Sequence, residues 1–290
     1  MDLHIHTNKS DGILSAFEVI TLAKEKGISI ISITDHDTID AYADDVLEYA
    51  RKNGIILIPG VEISTKINKC GIHVLGYNFD LNDNVLKEEL KNIRNARRDY
   101  LYSVSNKLST LGYNVNTEYL DTINSVTKAH IANDIINNES NRQILMDTFG
   151  HIPNKGEFIE NIMNEGCPAY VKKNTITPDI AVKIIKNSKG KVVLAHPVAY
   201  SYEDDLNEND ILKIVNENDI NAIEGNYLYV DKNNNVHNDI DKWNTFAKKH
   251  NLISTVGSDF HVEDKLRPSI GYIKINKDNE TDILEYLLGR

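Results

Sequence analysis

The sequence predicts an α/β barrel that carries an inserted helical subdomain. Short β-rich runs alternate with helical stretches in residues 1–80, and the same alternation returns in residues 166–290. Between them, residues 81–165 show helical periodicity with almost no β-branched run. Alternating strands and helices are typical of βα units that build a parallel sheet. We therefore expect residues 1–80 and 166–290 to form a barrel, and residues 81–165 to form an inserted helical subdomain.

The elements of the barrel can be predicted in chain order from periodicity and from helix-end signals. Ser15 suits an N-cap, while Gly27 and Gly54 suit the ends of the first two helices. The predicted strands are 3–6, 28–34, 55–59, 72–77, 192–195, 222–224, 253–256 and 272–275, and the predicted helices are 15–26, 40–53, 178–187, 208–217 and 240–250.

The insertion begins with one long predicted helix, from Val85 to Leu111, and shorter helices are expected near Glu118, His130 and Glu157. Apolar residues recur at helical spacing along the long helix, which predicts one buried side. The residues expected on that side are Leu86, Leu90, Ile93, Leu101, Val104 and Leu108.

The overall composition excludes several classes of protein. No apolar run approaches the roughly 18 residues that a membrane span requires. The first predicted strand starts almost at Met1 and leaves no room for a signal peptide, so we expect a cytoplasmic protein. Cys70 and Cys167 lie far apart, which argues against a disulfide framework and against a thiolate zinc site.

The formal net charge of −11 argues against long nucleic acids as partners. Small anionic substrates remain possible, because bound divalent ions reverse the local charge. Nothing in the sequence indicates an oligomeric state.

Histidine and carboxylate residues follow the predicted strands, at the edge where parallel α/β folds build active sites. His4 and His6 share the first strand at a spacing of two residues, so both side chains point to the same side. Further candidates occur at the ends of later strands or in the loops beside them. They are Asp11, His36 within Thr34-Asp35-His36-Asp37, Glu62, His73, His196, and Asp259 and His261 within Gly257-Ser258-Asp259-Phe260-His261.

Each of these residues has an ordinary structural alternative. His73 could be a core histidine, residues 34–37 could form a helix-capping turn, and Glu62 or Asp259 could pair with a lysine. The coincidence of six histidines and three carboxylates at one edge of one sheet favours a metal site, because such a polar cluster needs ions or extensive hydrogen bonding for its burial. Imidazole and carboxylate ligands without thiolate suit manganese, zinc or iron. Nine ligands exceed the needs of one ion, so two or three divalent ions are expected.

In this order along the chain, these motifs resemble the polymerase and histidinol phosphatase (PHP) family. The resemblance covers nearly the whole chain and implies a distorted (β/α)7 barrel with a trinuclear metal centre. It also implies a division of the ligands among three ions. The first ion would be held by His4, His6, Glu62 and Asp259, the second by Glu62, His73 and His196, and the third by Asp11, His36 and His261.

Within that family the insertion resembles the branch that dephosphorylates nucleotides. Lys128 stands where relatives carry arginine, and His130 matches a histidine that reaches a substrate phosphate. Lysine supplies a point charge without the bidentate fork of guanidinium, so we expect phosphate binding with weaker geometric selectivity. The alternative is that Lys128 and His130 merely open a helix over residues 129–137.

The expected activity is hydrolysis of a phosphate monoester of a small nucleotide, a nucleoside 5′-monophosphate or 3′,5′-bisphosphate. A metal-bridging hydroxide held by Glu62, Asp259, His4 and His6 would be the nucleophile. A cyclic ribose-phosphate diesterase and a 5′-3′ exonuclease on short RNA would share the same ligands. A histidinol-phosphate phosphatase and a non-catalytic interaction module are weaker alternatives. His151, His237 and His250 lie away from the predicted strand ends and are expected to be structural or surface residues.

Overall fold

The computed structural model describes residues 1–123, 126–231 and 233–289. The chain divides into two units. The barrel unit comprises Met1–Lys91 and Ile176–Arg290, and the inserted unit comprises Asn92–Thr175. The sequence placed these boundaries earlier, at 80/81 and 165/166. The first difference arises because one continuous helix crosses the boundary, so the barrel unit retains the beginning of that helix.

The bounds of most strands and helices agree with those predicted. The strands are β1 Asp2–Ile5, β2 Ile30–Ile33, β3 Ile56–Ile67, β4 Cys70–Tyr77, β5 Lys191–Leu194, β6 Ala222–Asn226, β7 Tyr229–Val230, β8 Val236–His237 and β9 Ile253–Val256. The helices are α1 Ala16–Glu25, α2 Asp44–Lys52, α3 Asn84–Thr110, α4 Thr117–Asp121, α5 Lys128–Asn137, α6 Arg142–Phe149, α7 Lys155–Phe158, α8 Pro178–Asn187, α9 Pro197–Glu203, α10 Glu208–Glu217, α11 Ile240–Lys249 and α12 Lys277–Leu288. Single turns of 3₁₀ and π helix occur at Glu139–Asn141 and Ile159–Met163.

The predicted helix-end signals are present at α1. The Ser15 side chain accepts a hydrogen bond from the Glu18 backbone N–H, and the Glu18 side chain accepts one from the Ser15 backbone. This reciprocal capping box satisfies donors that a helix start leaves without partners. Gly27 and Gly54 both follow helices with positive φ angles of 70° and 72°, where a residue without Cβ is favoured.

The central sheet of the described barrel unit has seven strands in the order β1-β2-β3-β4-β5-β6-β9. Most neighbours are parallel, as predicted, but β4 is antiparallel to both β3 and β5. The strand β4 departs from the parallel βα pattern, because only residues 68–69 separate β3 from β4. So short a connection permits a hairpin and excludes a crossover helix.

The two ends of this sheet are joined by contacts between β1 and the segment after β9. Ile5 forms a parallel bridge with Phe260, and the His6 backbone N–H donates to the Phe260 carbonyl at 2.8 Å. These contacts close the sheet into a distorted barrel, which confirms the predicted fold class. They also bring the first residues of the chain beside residues 257–261.

The predicted strand at 272–275 is not formed. Gly271 precedes it with φ of +68°, and its N–H donates to the buried Asp2 carboxylate at 2.7 Å rather than to a neighbouring strand. Ile273 and Ile275 still pack against the barrel core. The alternating apolar pattern therefore reflects packing against the core, and it does not correspond to a hydrogen-bonded strand.

Each unit has an apolar core of its own. In the barrel unit the core includes Leu3, Ile58, Val193 and Val256. In the inserted unit Leu101, Val104 and Leu108 of α3 are fully buried. Ile93, which was expected on the same buried side, is only half-buried. In the parts of the chain that the structure describes, no helix is long and apolar enough to cross a membrane.

Candidate metal centre

His4 and His6 form the centre of a buried polar cluster at the carboxyl-terminal edge of the parallel strands. Both side chains are fully buried, and their Nε2 atoms lie 3.1 Å apart. Glu62 Oε2 lies 3.3 Å from His4 Nε2 and 3.2 Å from His6 Nε2, and Asp259 Oδ1 lies at 3.3 Å and 3.1 Å from the same two atoms. Four potential ligand atoms therefore converge on one point.

Glu62 connects this point to two further regions of the cluster. Its Oε1 atom lies 2.9 Å from His73 Nδ1 and 3.2 Å from His196 Nε2. Its Oε2 atom lies 3.1 Å from His36 Nδ1. The carboxylate is almost completely buried on the long strand β3, so both of its oxygens have fixed positions. Glu62 can thus bridge two cations.

Asp11 marks a third region of the cluster. Its Oδ1 atom lies 3.3 Å from His261 Nε2 and 3.4 Å from His6 Nδ1, and its Oδ2 atom lies 3.6 Å from His36 Nε2. The rings of His6 and His261 stack with centroids 4.2 Å apart. The loop that carries Asp11 thereby meets the segment after β9.

The nine residues predicted from the sequence are all brought together by the fold. Three overlapping groups have potential ligand atoms within 4.8 Å of one another, namely His4-His6-Glu62-Asp259, His6-Asp11-His36-His261 and His36-Glu62-His73. His196 adjoins the third group through Glu62. Converging imidazole and carboxylate donors fit divalent transition metals. The residues present therefore suit a multi-ion centre.

The carboxylates determine the electrostatics of the central histidines. Burial lowers the pKa of His4, but the charges of Glu224, Glu62 and Asp259 outweigh burial and raise that pKa well above its ordinary value. For His6, burial likewise lowers the pKa, but hydrogen bonds that Asp259 and Glu62 accept from the ring outweigh burial and raise the pKa to about 10. Metal ions and protons would therefore compete for these two rings.

The pKa values of the two carboxylates and of His36 are shifted toward the protonation states that coordinate a metal ion. Burial opposes ionisation of Glu62 and Asp259, yet the adjacent imidazoles hold the pKa of both carboxyls well below the ordinary value. Burial lowers the pKa of His36 to about 4. Ionised carboxylates and a neutral imidazole are the forms that coordinate a cation.

Glu224 is a residue of this site that sequence reasoning missed. It is 1% exposed, and its two carboxylate oxygens both lie 3.0 Å from His4 Nδ1. Its Oε2 atom also accepts the His196 backbone N–H at 3.0 Å. A hydrogen bond at Nδ1 fixes the tautomer and ring orientation of a histidine that ligates through Nε2. Glu224 thus directs His4 Nε2 toward Glu62 and Asp259.

One glycine makes this close arrangement possible. A Cβ atom at Gly257 would lie 2.1 Å from Glu224 Oε1 and 2.3 Å from His4 Cβ. The Gly257 position therefore has no room for a side chain. The signal that could have identified Glu224 was its charge within the otherwise uncharged, buried strand β6, since a fully buried glutamate requires partners.

A second buried carboxylate holds the loop that carries Asp11. Asp35 accepts hydrogen bonds from the Thr7 N–H at 2.7 Å, the Thr7 hydroxyl at 2.6 Å and the Ser10 hydroxyl at 2.6 Å. These bonds tie residues 7–10 to the end of β2. Asp35 is therefore a support for the site and does not lie among the converging ligand atoms.

Two of the nine residues have backbone conformations that L-residues rarely adopt. The φ angle is +23° at His196 and +52° at Asp259. Positive φ at a residue with a side chain costs free energy and persists where the surroundings determine it, commonly at functional sites. Asp259 is further held by the Tyr227 hydroxyl, which donates to its Oδ2 atom at 3.2 Å.

Lys128 and His130 lie in the inserted unit, at the first turn of α5. Lys128 Nζ donates to Asn164 Oδ1 at 2.9 Å. His130 Nδ1 accepts the Thr127 N–H at 3.1 Å, and the His130 N–H donates to the Thr127 hydroxyl at 3.4 Å. The pair therefore opens the helix, as its structural alternative predicted. Contact of Lys128 and His130 with a substrate phosphate stays a prediction.

Comparisons with known proteins agree with this site and fold. Residues 2–175 match the PHP domain. A 5′-3′ exoribonuclease of Haemophilus influenzae is 28% identical over 281 residues, which are 96% of this chain and 93% of that protein. A 3′,5′-nucleoside bisphosphate phosphatase of Chromobacterium violaceum is 26% identical over 276 residues, which are 94% of this chain and 90% of that protein.

A solved structure extends the comparison to three dimensions. It is an amidohydrolase from Chromobacterium violaceum with bound sulfate and no metal, and its sequence is 26% identical. The TM-score is 0.68, with 92% of this chain and 89% of that chain covered. The distorted barrel, its cluster of potential metal ligands and the similarity to a phosphatase and an exoribonuclease together define a hydrolase that acts on phosphate esters. The chain belongs to the PHP domain family.

Proposed function

We propose that this hydrolase cleaves a phosphate monoester of a small nucleotide, a nucleoside 5′-monophosphate or 3′,5′-bisphosphate, with two or three divalent ions as cofactors. The observation that carries the proposal is the overlap of the three ligand groups, which share His6, His36 and Glu62. Shared ligands hold neighbouring ions at the short spacing that suits a single phosphate group.

The proposed ligand sets follow the three groups. His4, His6, Glu62 and Asp259 would hold one ion, Glu62, His73 and His196 a second, and Asp11, His36 and His261 a third. Manganese, zinc and iron fit these donors best. When bound, such ions supply an activated water nucleophile and neutralise charge on the phosphoryl oxygens.

The side chains of the site have separate tasks in this proposal. Glu62 and Asp259 supply the negative charge that retains the cations, and Glu224 keeps the His4 ring in its ligating orientation. The Tyr227 hydroxyl occupies Asp259 Oδ2, so Oδ1 is the oxygen that faces His4 and His6. Polar groups fixed in this way lower the free-energy cost of reorganising the site during the reaction.

Lys128 and His130 would contribute to binding of a substrate phosphate. An ammonium group can neutralise a phosphate as a point charge. We keep this assignment as part of the proposal, together with the role of residues 81–165 in substrate binding and the predicted cytoplasmic location.

A second candidate activity is 5′-3′ exonuclease action on short RNA. It is favoured by the similarity to the exoribonuclease of Haemophilus influenzae. The same nine residues would serve both activities, since each reaction transfers a phosphoryl group to water. The net charge of −11 disfavours long RNA, which a basic surface would have to neutralise.

Metal analysis followed by a substrate screen tests the proposal. Purified protein should contain more than one equivalent of manganese, zinc or iron. It should release phosphate from nucleoside 5′-monophosphates or 3′,5′-bisphosphates, lose activity with a chelator and regain it when metal is restored. Shortening of 5′-phosphorylated oligoribonucleotides alone would favour the exonuclease. Turnover of only a cyclic ribose phosphate or only histidinol phosphate would contradict both activities.

A further inference from the structure

A cleft of about 170 Å³ opens beside two of the nine residues, within the barrel unit. Asp259 and His261 are among its lining residues, together with Tyr227, Tyr229 and Arg267. The cleft therefore joins potential metal ligands to a guanidinium group. The sequence analysis assigned no role to this arginine.

The two tyrosine hydroxyls in the cleft already have acceptors. Tyr227 donates to Asp259 Oδ2 at 3.2 Å, and Tyr229 donates to Glu203 Oε1 at 2.6 Å. Both side chains are 8% exposed. They shape the wall of the cleft, and their hydroxyl donors are used within the protein.

The Arg267 side chain, unlike the two tyrosine side chains, is exposed. It forms no ion pair with a described carboxylate, although the charge of Asp264 acts on it at longer range. Arg267 is the permanent positive charge among the described residues that line the cleft. A guanidinium group offers a planar pair of donors that matches two oxygens of a phosphate.

The loop that carries Arg267 is held by local hydrogen bonds. Asp264 Oδ1 accepts the backbone N–H groups of Leu266 and Arg267, each at 2.7 Å. Glu263 accepts from Lys26 Nζ at 2.9 Å and from the Ser269 hydroxyl at 2.7 Å. The backbone of Arg267 is thus fixed by contacts on both sides.

We propose that this cleft binds the part of the substrate beyond the reacting phosphate, and that Arg267 binds a second phosphate group there. The inference rests on the proposed function, because Asp259 and His261 identify the reacting end of the cleft. Arg267 is the permanent cation in the cleft, and its planar donors suit the oxygens of a phosphate group that the metal centre does not hold. The substrate class is a nucleotide with two phosphate groups.

Binding of hydrolysis-resistant phosphonate analogues to the metal-loaded protein tests this proposal. One analogue mimics adenosine 3′,5′-bisphosphate, and two others mimic the 3′- and 5′-monophosphates. Arg267→Ala should weaken binding of the bisphosphate analogue about tenfold and change binding of each monophosphate analogue by less than about twofold, while Arg267→Lys should lie between. Lys265→Ala removes a neighbouring exposed cation from the same loop and should change none of the three affinities.

Equal loss of affinity for all three analogues, or no loss for the bisphosphate analogue, would overturn the role of Arg267. Metal content of each variant, measured in parallel, should equal that of the wild type if the centre is intact. Failure of the proposed function gives a different result, because the wild-type protein would then hydrolyse neither natural mono- nor bisphosphates, whatever the analogues show.

Discussion

The metal centre and the start of α5 present two different ways to place polar side chains. At the centre, His4, Glu62 and Asp259 are held by several short contacts each, and His4 and Glu62 are almost completely buried. At α5, Lys128 and His130 are only half-buried and contact Asn164 and Thr127. The barrel unit thus fixes its residues in advance, whereas the helix start uses its residues for local structure.

This difference separates reaction chemistry from substrate choice. Reactive groups must be held close to one geometry, and buried networks provide that precision. Groups on a half-buried helix start can change with less effect on the fold than groups in a buried network. Substitution of Lys128 should therefore be easier to accommodate than any replacement among the converging ligands.

The largest expected effect is at the centre of the buried network. His4→Ala and Asp259→Ala should each lower kcat/KM by about a thousandfold or more, which corresponds to about 4 kcal/mol of activation free energy. Bound metal, measured by elemental analysis, should fall in the same variants because each loses a converging ligand. Full activity with unchanged metal content in either variant would contradict the metal role of the cluster.

A smaller effect is expected from the residue behind His4. Glu224→Gln should weaken metal affinity by about ten- to a hundredfold, because a neutral amide supports the imidazole less strongly than a carboxylate. Saturating metal should restore most of kcat, and Glu224→Ala should be more severe. If the variants lose thermal stability while metal affinity stays the same, Glu224 serves only the fold.

At the start of α5 the expected effect is on substrate binding alone. Lys128→Ala should raise KM for phosphate-rich nucleotides by about three- to tenfold with little change in kcat, because a point charge toward phosphate is removed. Asn164→Ala is the matched control, since it removes the hydrogen-bond partner of Lys128 but retains the charge. Equal effects of the two substitutions would indicate a structural role for Lys128.

The smallest effect is expected for a histidine outside both regions. His151 is 58% exposed and pairs with Glu157 at 3.0 Å. His151→Ala should leave metal content and kcat/KM unchanged and should alter the free energy of unfolding by less than about 1 kcal/mol, because exposed pairs contribute little. A loss of bound metal would show that histidines beyond the predicted set belong to the centre.

Much of the fold and site could be predicted from the sequence. Strand ends are marked by periodicity and by glycines, and the ligands are residue types that seldom occur together unless they bind something. His4 and Asp259 could therefore be assigned to one site although they are far apart in the chain. The antiparallel pairing of β4 followed from a two-residue connection whose geometry the pattern of apolar residues did not show.

Glu224 and Arg267 illustrate what the sequence did not reveal. Glu224 lies within a strand, and its role depends on which ring nitrogen of His4 it meets, a property of three-dimensional packing. Arg267 lies in a loop without a recognisable motif, and the cleft that it shares with Tyr227 and Tyr229 forms only when β6 and the segment after β9 come together. Contacts between distant segments are decided by tertiary structure, which local patterns do not encode.

The closing contact between Ile5 and Phe260 has a consequence for synthesis of the protein on the ribosome. His4 and His6 leave the ribosome before Asp259 and His261, which follow about 250 residues later in the chain. A nascent chain therefore cannot assemble the full ligand set. Activity should therefore arise only after residues 257–261 have left the ribosome and Phe260 has paired with Ile5.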